Sequence, residues 1–98
     1  ILQSVDAVPL FDISGGTGLL PYAWPAPILR YAYHGYAGGL GPENLAGQLP
    51  LIAAAAGDAR VWVDMESGVR SDDGRRFDLE KVARCLAIAA PCVTRQAP

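Results

Sequence analysis

The chain is poor in charge, in sulfur and in histidine, and each shortage removes a class of function. Its 98 residues include eight Lys and Arg, ten Asp and Glu, one His, two Cys and one Met, for a formal net charge of −2. No basic stripe exists to neutralise a phosphodiester backbone, so a nucleic-acid partner is not expected. No apolar run approaches the roughly 20 residues that cross a bilayer, so no membrane partner is expected either. The opening Ile1-Leu2-Gln3-Ser4-Val5-Asp6 lacks the basic region and apolar stretch of a secretory signal, which leaves the cytoplasm as the expected location. Two cysteines seven apart, without a histidine cluster, do not make a zinc site, and neither a metal nor a cofactor is expected. In a reducing compartment Cys85 and Cys92 read as buried packing thiols rather than a disulfide.

What remains is apolar and punctuated. Hydrophobic residues make up 51% of the chain and charged residues 18%, a globular balance opposite to that of disordered segments. Val5 to Ile13 reads as a short buried strand running into the loop Ser14-Gly15-Gly16-Thr17-Gly18. Pro21, Pro25 and Pro27 then forbid a regular helix, and Trp24 among them reads as a plug against the core. A second strand spans Ile28 to Ala37, weakened by His34 and Gly35 and closed by Gly38, Gly39 and Gly41. His34 lies mid-strand, a position of packing or solvation rather than of chemistry. Pro42 opens a helix whose Leu45, Leu49 and Ile52 share one face; Pro50 kinks or restarts it and Gly57 closes it. A third strand, Ala59 to Met65, carries Trp62 as a core residue and ends in the turn Glu66-Ser67-Gly68-Val69-Arg70. The charged stretch Ser71 to Arg76 reads as a solvated loop. Asp78 then caps a last helix with Glu80 near its positive end and Leu79, Val82, Ala83, Leu86 and Ala90 facing the core, and residues after Pro91 fray.

Strands alternating with helical patterns imply parallel βαβ units, hence an α/β fold. Parallel strands need cover on both faces, and three of them alone leave two open edges. The chain is therefore read as an incomplete sheet. Ligands of such sheets lie beyond the C-terminal strand ends. Asp12, Gly38-Gly39 and Asp64-Met65-Glu66-Ser67-Gly68 all fall there. Adjacent glycine turns let backbone N–H groups approach phosphate oxygens, although glycine turns also serve simply to reverse the chain. Asp12, between an apolar strand and a glycine loop, is either a proton-transfer group or an acceptor for loop amides.

Three motifs carry a resemblance. Leu10-Phe11-Asp12 with Gly15-Gly16-Thr17-Gly18, then Ala37-Gly38-Gly39-Leu40-Gly41-Pro42-Glu43-Asn44-Leu45, then Val63-Asp64-Met65-Glu66-Ser67-Gly68-Val69 stand in order and at compatible spacing. They resemble the segments L-L-D, G-G-[ST]-G-K, A-G-G-L-N-P-E-N-V and V-D-V-S-S-G-V-E of the phosphoribosylanthranilate isomerase family. The resemblance implies strands six to eight of a TIM (β/α)₈ barrel, with residues 1–98 forming its C-terminal part. A barrel needs roughly 250 residues, so an N-terminal barrel half, from the same gene product or a second chain, is the expected partner. It also implies an Amadori rearrangement of N-(5-phosphoribosyl)anthranilate in tryptophan biosynthesis. Asp12 falls on the family's general acid, Gly38, Gly39, Ser67 and Gly68 on its phosphate-holding loops, and Asp64 on a pocket-lining aspartate. The family's general base, a cysteine on strand one, would lie upstream; Cys85 and Cys92 do not replace it.

The departures are as specific as the matches. Leu19 stands where the family has lysine, the proline-rich Pro21 to Pro27 replaces its F-D-W helix opening, Gly41 replaces asparagine, and Glu66 and Arg70 replace serine and glutamate. Either Glu66 and Arg70 form an ion pair, or Glu66 repels a phosphate dianion. Two further functions follow from these changes: a related phosphosugar barrel enzyme with a shifted substrate, and a non-catalytic barrel that binds a phosphate ligand.

Overall fold

The computed structural model describes residues 8–12, 18–28 and 33–93. The sequence expectations for 1–7, the glycine loop at 13–17, the start of the second strand at 29–32 and the tail at 94–98 lie outside them. Within the described residues the order is β1 (Leu10–Asp12), β2 (Tyr33–Ala37), α1 (Leu45–Ala56), β3 (Arg60–Asp64) and α2 (Leu79–Ala89). Two short 3₁₀ turns, Ser67–Val69 and Ala90–Cys92, follow β3 and α2. The fold is α/β. Its three-stranded sheet has the order β1-β2-β3, with both neighbouring pairs parallel.

Register explains the two faces of this sheet. Leu10, Gly35 and Trp62 form one row across it, and Asp12, Ala37 and Asp64 form the row two residues on. Side chains alternate along a strand, so these residues share one face while Phe11, His34, Tyr36, Val61 and Val63 occupy the other. The second face meets the helices. Tyr36, Leu40, Leu45, Ile52, Ala56, Val69 and Cys85 are buried as one cluster, with Phe11, Trp24, Leu49, Val61, Val63, Val82, Ile88 and Ala89 packed against it.

The proline-rich segment is tied to this core by side chains of β2. The Tyr36 hydroxyl donates to the Pro25 carbonyl at 2.7 Å, and the Ile28 N–H donates to His34 Nε2 at 3.0 Å. Trp24 meets Tyr36 edge-on at 5.9 Å and donates its indole N–H to Gln48 Oε1 of α1. The plug read from the sequence is thus a bridge between the proline segment and α1. His34 is fully buried and stacked on Phe11, so it packs.

Helix α1 begins at Leu45, not at Pro42, which sits in the preceding turn. Asn44 accounts for the shift. Its side chain accepts from Gly41 N–H and donates to the Gly39 carbonyl, holding the chain in a loop until residue 45. Pro50 neither ends nor restarts the helix. The carbonyl it leaves unpaired, four residues back at Ala46, lies on an exposed turn where water can satisfy it. Gly57 closes the helix at φ 61°, with its N–H on the Ala53 carbonyl.

Helix α2 starts as expected, with the Asp78 carboxylate accepting from Glu80 and Lys81 N–H groups. Its buried face differs from the stripe read from the sequence. Leu79 and Leu86 are 79% and 67% exposed, Ala83 and Ala90 are exposed too, and Cys85 is the buried residue, flanked by Val82, Ile88 and Ala89. The first turn sets this rotation. Lys81 is held by the Arg70 carbonyl at 2.7 Å and by Asp72, which turns the helix so that Val82 and Cys85 point inward. Cys85 is therefore the packing thiol, whereas Cys92 is exposed. Trp62, read as a core residue, is half-buried on the face away from the helices, edge-on to Tyr33 at 4.8 Å. Among the described residues no helix is long and apolar enough to cross a membrane.

Candidate functional site

Parallel pairing brings all three strand ends to one rim, and the register row Asp12–Ala37–Asp64 closes it. Two interstrand spacings separate the outer members, about 9.5 Å between their Cα atoms. Both carboxylates thus point from the same face and flank the backbone of Ala37. The chain then turns outward through Gly38 and Gly39 after β2, and through Met65 to Ser67 after β3.

These turns enclose an open cleft of about 210 Å³, lined among others by Asp12, Gly38, Gly39, Asp64, Glu66, Ser67 and Arg70. Asp12, Gly38, Gly39, Asp64 and Ser67, five of the six residues singled out in the sequence, meet there. The sixth, Gly68, lies behind the rim. A Cβ at Gly68 would fall 1.9 Å from the Leu40 carbonyl oxygen and 3.0 Å from Gly41 Cα. Glycine at 68 therefore lets the two loops touch through their backbones. Gly39 has a comparable constraint from the opposite side: it adopts φ +68°, and a Cβ there would lie 2.5 Å from the Leu20 backbone nitrogen. The segment at Gly18–Leu20 rests directly on this loop.

The amide groups of the cleft are unevenly used. Asn44 consumes the Gly41 N–H. In the 3₁₀ turn the bonds run from Val69 N–H to the Glu66 carbonyl and from Arg70 N–H to the Ser67 carbonyl, so the turn itself does not occupy the Ser67 and Gly68 amides. First amides of a helical turn commonly satisfy themselves with water, side chains or ligand oxygens.

Charge in the cleft is mostly negative. Asp12, Asp64 and Glu66 line it with a single guanidinium, Arg70. Of the two alternatives for Glu66 and Arg70, the ion pair is not formed. Among the described residues the ion pairs are Lys81 with Asp72 and Arg84 with Glu43. Arg70 instead lies 4.8 Å over the Phe77 ring and donates to the Gly74 carbonyl. Its backbone bridges to Phe77 across the loop, and that local closure holds the side chain away from Glu66. Within the loop the Asp73 carboxyl accepts from Ser71 and from Arg75 N–H, which holds its pKa below the ordinary carboxylate value. The stretch 71–76 is thus a self-bonded surface turn.

Comparison with family models, curated proteins and solved structures gives no match to the chain. Among the described residues no three His, Cys, Asp or Glu side chains cluster closely enough to hold a metal ion. The cleft can offer backbone amides and a serine hydroxyl to an anion at one end, and a carboxyl to a proton-transfer step at the other. Sequence reasoning had not placed Gly18, Ala37 and Leu40 at the cleft, although Gly18 closes a glycine loop and the other two flank Gly38-Gly39.

Proposed function

We propose that this chain is the C-terminal part of a (β/α)₈ barrel and contributes the acid and the phosphate-holding rim of an isomerase acting on a phosphoribosyl amine. The observation that carries the reading is the meeting of Asp12 with Gly38, Gly39 and Ser67 around one cleft at the strand ends. Ligand sites of parallel barrels lie on that side. The barrel reading draws further support from the face of the sheet turned away from the helices. It bears Leu10, Tyr33 and Trp62, with Leu10 at 47% and Tyr33 at 40% exposure. Parallel strands are ordinarily covered on both faces, and additional strands closing a barrel would cover this one.

The reaction suited to these groups is an Amadori rearrangement. Asp12 gives a proton to the furanose ring oxygen as the C1′–O bond breaks, and the nitrogen lone pair forms the C1′=N iminium. A base removes the C2′ proton, and the electrons collapse into an enaminol that tautomerises to the 1-deoxyribulose product. The base is not within the described residues and is assigned to the N-terminal half of the barrel. Gly38, Gly39 and the Ser67 turn hold the 5′-phosphate, and Asp64 orients the sugar hydroxyls.

A second reading rests on Glu66, whose carboxylate lines the cleft without Arg70 as a partner. It makes the protein a related phosphosugar barrel enzyme with a shifted substrate, or a barrel that binds a phosphate ligand without chemistry. The test uses the polypeptide that carries this chain. Loss of anthranilate fluorescence on adding N-(5-phosphoribosyl)anthranilate is the expected result. Calorimetric binding of phosphoribosyl ligands without turnover would favour the non-catalytic reading, and neither binding nor turnover would remove both.

A further inference from the structure

Glu66 departs from what a phosphate-holding rim requires, and its surroundings say what it would select. The residue caps the Ser67–Val69 turn without using its side chain there, so the carboxylate is not spent on the turn's own amides. It lines the cleft together with Gly38, Gly39 and Ser67. Among the described residues the charged groups facing the same space are Asp12 at the end of β1, Asp64 at the end of β3, and Arg70, which is engaged by Phe77 and Gly74. A fully ionised phosphate ester would meet the carboxylate of Glu66 and that of Asp64, with the nearby guanidinium already committed.

A phosphate monoester loses its second proton near pH 6. Its monoanion carries one P–OH that can donate to a carboxylate, whereas the dianion has only acceptors. We infer that Glu66 is a specificity-determining residue that makes the cleft take the protonated, monoanionic form of a phosphate ester, with its carboxylate accepting the hydrogen bond from P–OH. The inference rests on the phosphate-site reading above and sharpens it. Sulfate, a dianion without a proton at these pH values, is excluded on the same ground. The second negative charge of a dianion at hydrogen-bonding range of a partly solvated carboxylate lowers affinity roughly tenfold or more.

The experiment measures binding of inorganic phosphate and of sulfate between pH 5.5 and pH 8 at constant ionic strength. It uses the polypeptide carrying this chain and its Glu66→Gln variant, with circular dichroism confirming that both are folded. In the wild type, phosphate should bind roughly tenfold more tightly at the acid end than at the alkaline end, with sulfate weak throughout. In Glu66→Gln, whose amide can donate to a dianion, the phosphate slope should flatten and sulfate should bind about as well as phosphate. An unchanged pH slope and unchanged sulfate discrimination in Glu66→Gln overturn the role of Glu66 while leaving the phosphate site standing. Absence of phosphate binding by both proteins at every pH overturns the site reading and this inference with it.

Discussion

Gly35 is the position where the packing of the sheet can be tested by one methyl group. It stands in the central strand with no positive φ, so its reason is space rather than backbone freedom. A Cβ at Gly35 would lie 2.3 Å from both Cε2 and Cζ2 of Trp62 and 2.8 Å from its Nε1. Carbon pairs rest at about 3.5–4.0 Å, so the indole would have to move by more than about 1 Å, against Tyr33. Overpacking of this kind costs about 1–3 kcal/mol. Alanine regains about 0.5–1 kcal/mol over glycine in a strand, leaving Gly35→Ala destabilised by up to about 2.5 kcal/mol. Trp62→Val should cost a similar amount through lost contact and the lost aromatic pair. In the double variant the indole is gone and the alanine fits, so its loss should fall at least about 1 kcal/mol short of the sum of the single losses. Urea unfolding followed by far-ultraviolet circular dichroism, on the polypeptide carrying this chain, reads all three. Strictly additive losses, within about 0.5 kcal/mol, would refute the contact.

Four further outcomes are expected. Asp78→Ala removes the acceptor for two N–H groups at the start of α2 and should lower stability by about 1 kcal/mol in the same unfolding assay. Burial raises the Cys85 thiol pKa, so the native chain holds that proton more tightly than the unfolded one. That contribution is complete below the unfolded thiol's value of about 8.5 and is lost as pH rises through the higher folded value; Cys85→Ala should flatten this part of the alkaline stability profile. In thiol labelling at neutral pH, exposed Cys92 should react at once and Cys85 only on unfolding. The 98-residue chain by itself, whose parallel sheet has two open edges among the described residues, should show no cooperative unfolding transition as a monomer.

Helix-closing glycine, helix-capping aspartate and strand-end carboxylates were legible in the sequence because their signals are local, whereas Pro42 and Pro50 were overridden by the Asn44 loop and by an exposed turn of helix. Gly57 closes α1 and Asp78 opens α2 where short-range chemistry says they should. Parallel pairing then carried Asp12, Gly38 and Asp64 to a common rim. The misreadings arose where several faces were apolar or where distant partners competed. Helix α2 offers Leu79, Val82, Ala83, Cys85, Leu86 and Ile88, so periodicity alone left its rotation open, and Lys81 on the Arg70 carbonyl decided it. Trp62 looked like core by type, yet strand alternation puts it beside Gly35 on the far face. Whether Glu66 pairs with Arg70 stayed open in the sequence, because the partner that engages Arg70 is Phe77, seven residues on.

The role of Asp12 is the claim on which the functional reading turns. The most direct measurement is the turnover of N-(5-phosphoribosyl)anthranilate by the polypeptide carrying this chain and by its Asp12→Asn variant, kcat and KM determined separately. Loss of a positioned general acid should lower kcat by about 10²- to 10⁴-fold with KM little changed. An Asp12→Asn protein that turns over at the wild-type rate would contradict the assignment of the acid.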